Sequence, residues 1–291
     1  MIQLRDDGFV LIAVLWILAT LAALASAYSV FAAHTTANVY LPEENLKADA
    51  ALRGAIELIA YRQLAWPIAA RPSQGAFKTR LGAAAINVVY RAESARVDVN
   101  AAPRRVLAGL FAQIGAGSSS AAFLADRIVA WRRRLQEPEQ RSEAEIYRKA
   151  GLGYSPPGAP FDNVLELAAL PGMSPQLLAR ALPFLTVYNS SGVIDPLIAT
   201  PAVLAAVPGL TPQMRDALRS EESNPRHDAV ALAAIAGPNL PYLGVGANDA
   251  VRAEIVVDFP DRRIAAEIVV LVTPAADEPY QILYWRDDFD R

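Results

Sequence analysis

Apolar residues follow three different rhythms along this chain. The first is an unbroken run. From Phe9 to Ala33 the sequence FVLIAVLWILATLAALASAYSVFAA carries no charge. A helix needs about 20 such residues to cross the hydrocarbon of a bilayer, so the run predicts a transmembrane helix over 9–33. The helix is expected to continue beyond the membrane, with an interruption and kink at Pro42. It resumes at Glu43, with Leu46, Ala50, Ile56 and Ile59 on or near one face, and ends at Trp66-Pro67. The second rhythm is alternation. It predicts strands over 77–81, 86–91 and 95–99, the last two forming a hairpin around Ala92-Glu93-Ser94. Further strands are expected over 252–259, 263–273 and 280–286, with turns at Pro260-Asp261 and from Ala275 to Pro279. The third rhythm, from Ala101 to about Gly246, is helical, rich in Ala and Leu and punctuated by Pro and Gly. A sheet split by a helical block is most simply an insertion. The expected domains are therefore 1–8 (leader), 9–33 (span), 34–100 (helix and first strands), 101–246 (an inserted all-α lobe) and 247–291 (last strands).

The helical block repeats itself. Leu167 to Leu177 reads LAALPGMSPQL, and Leu204 to Met214 reads LAAVPGLTPQM. Each copy predicts a helix, a tight turn at Pro171-Gly172 or Pro208-Gly209, and a second helix. That second helix is capped by Ser174 or Thr211 and opened by a proline. A fainter echo lies at Val106 to Leu110. Such helix-hairpin-helix-like units often hold DNA phosphates with hairpin N–H groups and early basic residues. Here no Lys or Arg precedes Arg180 or Arg215 in the second helices. Residues 160–245 hold four Arg against seven Asp and Glu, the wrong sign for phosphate. The repeats are therefore read as structural, with no nucleic-acid partner.

A secretory signal peptide has an apolar region of roughly 7–15 residues followed by a cleavage site. Here the run is too long, and the small polar leader Arg5-Asp6-Asp7-Gly8 precedes it. That order marks a precursor cut after the glycine, with the helix retained; an uncleaved anchor is the other reading. Arg5 and the amine lie before the run, and the next Lys or Arg after it is Lys47, so the leader is expected to stay cytoplasmic. The net charge of −3 points to no polyanionic partner. There is no cysteine, and His34 and His227 are the only histidines, too far apart in sequence for a metal cluster or a triad. Arg132-Arg133-Arg134 reads as a solvated helix end, Gly115-Ala116-Gly117-Ser118 as a linker, and Asp287, Asp288 and Asp290 as a solvated tail. Tyr284 and Trp285 read as strand packing. With no nucleophile elbow and no paired carboxylates, the chain is not expected to be an enzyme and no cofactor is predicted.

These parts resemble the K minor pseudopilins of the type II (general) secretion pathway. The likeness is carried by Gly8-Phe9, by Val14-Leu15-Trp16-Ile17-Leu18 and by the run Val97-Asp98-Val99-Asn100-Ala101-Ala102-Pro103. It continues through Pro171-Gly172-Met173, Leu185-Thr186-Val187-Tyr188 with Gly192 and Asp195, and Ala199-Thr200-Pro201. The resemblance implies an α+β, type IV pilin-like fold, with a long N-terminal helix on an antiparallel sheet and a large helical domain inserted in it. It implies cleavage by a prepilin peptidase between Gly8 and Phe9, with methylation of Phe9. It also implies a single-pass place in the bacterial inner membrane lipid with the body periplasmic, and I- and J-type minor pseudopilins as partners. Calcium is associated with some members, but no site is placed here. Most pilin-like subunits carry a glutamate at the fifth mature position. Here that position is Ala13; the resemblance implies that the family shares this absence of a carboxylate, which goes with a place at the pseudopilus tip. The alternatives are a minor pilin of a type IV pilus or competence pseudopilus, and a membrane-anchored DNA receptor.

Overall fold

The computed structural model describes residues 7–67, 70–222, 234–245, 250–273 and 277–288. The chain divides into two units, 1–54 and 55–291. One helix, α1 (Asp7–Leu64), runs through the first and into the second. It continues across Pro42, where a break is expected from the missing N–H. Of the charge-free run, only the side chains from Val14 to Ser26 are described; the rest of the expected span is helical in backbone, with its side chains outside those described. Among the described residues, no helix is long and apolar enough to cross a membrane. Further along α1, the buried positions are Ala48, Ala51, Leu52, Ala55, Ile56, Ile59, Ala60 and Gln63. That is a stripe at helical spacing. Leu46 and Ala50, expected on the buried face, are exposed.

The second unit is built on a five-stranded sheet ordered β1-β2-β5-β6-β7 and antiparallel throughout. The strands are β1 (Gln74–Leu81), β2 (Ala84–Ala92), β5 (Ala250–Asp258), β6 (Arg263–Val272) and β7 (Tyr280–Asp288). Alternation sets the two faces. On β2, Ala84, Ile86, Val88, Tyr90 and Ala92 are buried while Val89 and Arg91 are exposed. The last turns of α1 bind this sheet through side chains. The Tyr280 hydroxyl donates to Glu57 at 2.7 Å, the Gln63 amide donates to the Pro72 carbonyl at 3.1 Å, and the Arg62 guanidinium lies 4.4 Å from the Phe77 ring centre. The hairpin is β1–β2, not 86–91 with 95–99. Gly82, at φ +59°, leads a two-residue loop that pairs Leu81 with Ala84. Asp287 and Asp288, read as tail, continue β7.

The chain leaves the sheet after Ala92 and returns at Ala250, and Ala92 pairs directly with Val251. Between them lie β3 (Val97–Asp98), α2 (Arg104–Gln113), α3 (Ser118–Trp131), α4 (Glu137–Lys149), α5 (Pro175–Ala181), β4 (Leu185–Thr186), α6 (Pro201–Ala206) and α7 (Pro212–Glu222). The stretch is not purely helical, because β3 and β4 form a short parallel pair. Its core gathers Leu107, Leu110, Phe111, Leu124, Ile128 and Leu204, all buried, with the Trp131 and Phe161 rings stacked 5.3 Å apart. Gly115 and Gly117 lie in the turn between α2 and α3, without the strand context of a phosphate loop.

Because Ala92 and Val251 are paired partners, their ends lie about 5 Å apart. Replacing everything between them with Asn-Gly should leave a sheet of five strands on the end of α1. A cooperative thermal transition is expected, with circular dichroism that shows the α1 helix together with the strands. A chain with no cooperative transition would show instead that the sheet depends on the helical stretch to fold.

Candidate functional site

The sequence between the sheet and the helical stretch is polar, and the structure draws those side chains into one network. Glu93 follows β2 in a short 3-10 turn (Glu93–Ala95) and is fully buried. Its carboxylate accepts from Arg252 Nε at 2.7 Å and Nη2 at 3.3 Å, and from the Thr186 hydroxyl. Arg252 stands on β5, and its Nη1 donates to Glu267 Oε1 on β6 at 2.8 Å. Glu267 Oε2 accepts from Arg286 Nη2 on β7 at 2.6 Å. The Tyr284 ring centre lies 5.5 Å from the Arg252 guanidinium. Burial pulls the Arg252 pKa down, but Glu93 and Glu267 more than offset this and hold it above the ordinary value. A buried carboxylate is costly unless every oxygen is met, and this one is met from β5 and from β4.

A second knot lies beside the first. Asp98 Oδ1 accepts from the backbone N–H groups of Asn100 at 2.7 Å and Ala101 at 3.1 Å, and Oδ2 from that of Asn189 at 2.8 Å. Burial still pushes this carboxyl above its usual range against those three donors. Asp195 Oδ2 accepts from the Ser73 hydroxyl at 3.1 Å, which ties the helical stretch to the start of β1. Arg132 is no solvated helix end. Its guanidinium donates to the carbonyls of Val99 at 2.6 Å and Ala102 at 2.8 Å, and burial lowers its pKa. No signal in the sequence separates it from Arg133, which does pair at the surface with Glu139 at 3.0 Å. Calcium does not fit these acids, since their oxygens already meet N–H and O–H donors. Among the described residues, no group of three or more His, Cys, Asp or Glu could hold a metal ion.

The predicted turns are both formed. Gly172 has φ +83° and Gly209 has φ +79°, values that favour glycine. Ser174 Oγ accepts from Leu177 N–H at 3.2 Å, and Thr211 Oγ1 accepts from Met214 N–H at 3.3 Å, capping α5 and α7. The copies differ on entry. The first comes from a 3-10 segment (Val164–Ala169), the second from α6. A Cβ on Gly172 would come to 3.3 Å from the Phe123 ring, so the first turn lies against α3. The second lies beside α2, where a Cβ on Gly109 would run into the Ala206 carbonyl. There Arg104 and Arg105 flank the turn, but Arg104 is spent on Asp126. Gly8, Phe9 and Ala13 lie on the α1 backbone, and their side chains are outside those described.

Residues 84–190, from the start of β2 past the end of β4, match the family described as type II secretion system (T2SS), protein K. Over that stretch, a little over a third of its length, the chain is similar to this family. The likeness supports a minor-pseudopilin role in type II secretion. The matched region holds Glu93, Asp98 and Thr186, and so much of both knots. Gly8-Phe9, Asp195 and the second Pro-Gly turn lie outside it. The structure is similar to a chain in the crystal structure of the GspK-GspI-GspJ complex from the enterotoxigenic Escherichia coli type 2 secretion system. The TM-score is 0.60 at 13% identity, over 88% of this chain and 99% of that chain. At that identity the likeness is one of fold, a mixture of helices and antiparallel sheet. No curated protein sequence matches the chain.

The first knot can be probed by removing one partner. Arg252→Met strands a fully buried carboxylate and should cost about 3–5 kcal/mol in denaturant unfolding. Adding Glu93→Leu should recover most of that loss. A single variant as stable as the parent would show that the pair contributes nothing to the joint.

Proposed function

We propose that this chain is a minor pseudopilin that starts assembly at the tip of the type II secretion pseudopilus, together with I- and J-type minor pseudopilins, and so helps export folded proteins across the outer membrane. The protein K match over residues 84–190 carries the reading. It is supported by the fold likeness to a chain of a complex named for three such subunits. In this reading the arrangement is a pilin-like fold: α1 followed by an antiparallel sheet, with the helical stretch inserted between β2 and β5. A prepilin peptidase cuts between Gly8 and Phe9, Phe9 is methylated, and residues 9–33 cross the inner membrane once with the body in the periplasm. The helix-hairpin-helix-like turns at Pro171-Gly172 and Pro208-Gly209 serve packing, and no cofactor, nucleic acid or catalysis is involved.

Ala13 gives the physical reason for the tip. A carboxylate in lipid is costly unless it meets a partner. A subunit with alanine at the fifth mature position offers no charge to a neighbour above it, which suits a first subunit. The bulk of the helical stretch favours the same place, because it would clash inside a stacked filament.

Three measurements test this. Gly8→Ala should leave a precursor longer by the leader, seen by N-terminal sequencing; a wild-type chain starting at Met1 in the membrane fraction would reject the processing step. Ala13→Glu places an unpaired carboxylate in lipid and should reduce secretion or misplace the subunit. The full chain should copurify with I- and J-type subunits, with little loss as salt rises, because helix packing rather than charge holds them. Labelling found along the whole pseudopilus would overturn the tip assignment while leaving the family untouched.

A further inference from the structure

Two hollows open between the outer face of the sheet and the helical stretch. One, of about 370 Å³, reaches Glu267, Tyr284 and Arg286 on the β6–β7 side. The other, of about 260 Å³, reaches Val89, Arg91 and Glu254 on the β2–β5 side. They share Arg96, Pro183 and Arg252, so together they run across the strands from β2 to β7. Val164, Leu165, Leu182 and Val187 form an apolar wall. Leu165 keeps 57% of its surface exposed.

Four arginines (Arg91, Arg96, Arg252 and Arg286) line the hollows against two glutamates (Glu254 and Glu267), with Glu93 fully buried behind Arg252, in a chain whose net charge is negative. Arg252 and Arg286 are consumed by Glu93 and Glu267. Arg96 is half-buried, and among the described residues its guanidinium makes one long hydrogen bond, Nη1 to the Leu182 carbonyl at 3.4 Å. Burial, with Arg252 close by, pulls its pKa down. A guanidinium has five N–H donors in a planar fork that fits a carboxylate. Arg91 is exposed at the rim of the same cleft, also without a carboxylate among the described residues.

We propose that this cleft binds an extended segment of a partner protein, seating an Asp or Glu carboxylate on the Arg96 fork and apolar side chains against the Leu165–Val187 wall. Charge complementarity selects an acidic segment over a neutral one. An extended strand turns alternate side chains to opposite sides, so a pattern of alternating apolar and acidic residues would set its apolar side chains on the wall and its carboxylates on the arginines. The site is separate from the α1 and Ala13 features behind the tip assignment, so either can fail alone.

The test is fluorescence anisotropy on the purified full chain in detergent, with fluorescein-labelled Leu-Asp-Leu-Glu-Leu-amide as the probe. The acidic peptide should bind, and its Leu-Asn-Leu-Gln-Leu counterpart should bind roughly tenfold or more weakly. Arg96→Gln should cost the acidic peptide a similar factor, and Arg91→Gln a smaller one. Arg105→Gln, on α2, should cost nothing. Thermal melts identify any variant that has lost its fold, and the two peptides compared on the parent chain test the idea without any variant. Absence of binding at millimolar peptide, equal binding of both peptides, or full binding by a folded Arg96→Gln chain would overturn the proposal. Glutarate alone matching the peptide would overturn the segment in favour of a small-anion site.

Discussion

The ion pair between Glu93 and Arg252 is the constraint on which the junction of sheet and helical stretch depends. Glu93 is fully buried one residue after β2 leaves the sheet, and Arg252 lies two residues beyond the return of the chain at Ala250. A carboxylate with no exposure cannot fall back on water, so its partners have little freedom. Arg252 must point to the outer face of β5, and Thr186 must sit where its hydroxyl reaches the other oxygen. Thr186 lies on β4, which pairs with β3, and β3 starts four residues after Glu93. One charge thus sets where the chain exits, where it returns and which strand of the helical stretch lies closest.

The second knot works with backbone donors instead of a counter-charge. Asp98 accepts from Asn100, Ala101 and Asn189, so it fixes the turn into α2 and the chain just after β4 together. Arg132 reaches the same turn from the end of α3 and covers the Val99 and Ala102 carbonyls. The polar residues here serve to join segments. Among the described residues of these knots the acid oxygens are met by donors, while the neighbouring Arg96 guanidinium makes one long hydrogen bond.

Local pattern made most of the strands legible. Alternation located β5, β6 and β7 to within two residues, because one face of each is apolar and the turns carry Pro-Asp or Pro. It failed at the first hairpin. Gln74 to Phe77 carries too few apolar residues to stand out, and the two-residue turn at Gly82-Ala83 holds none of the Asn-Gly or Asp-Gly signals. Val97-Asp98 alternates, but its partner is Leu185-Thr186 in parallel, a pairing no local pattern contains. The Pro-Gly turns were readable from glycine and the Ser or Thr cap that follows each. Glu93, Asp98 and Arg132 were not readable as a site, because a charge that will be buried looks like any other charge until its partner, far along the chain, is known.

The repeated turns hold a phosphate-type backbone geometry inside a packed setting. Both copies retain a glycine at positive φ and a capped helix after it, which is the backbone that would offer N–H groups to a phosphate. Yet Gly172 is held against Phe123, and the second turn leans on α2 through the contact at Gly109. The electrostatics agree, since Arg104 beside the second turn is neutralised by Asp126 and the segment as a whole is acidic. What the turn supplies is a sharp reversal that lets two short helices bury their apolar sides in one core. Leu177 and Leu178 of the first copy, and Leu210 and Leu218 of the second, all lie in that core. A segment of such short helices gains little from helix propensity, so the burial of these leucines is what holds the two copies in place.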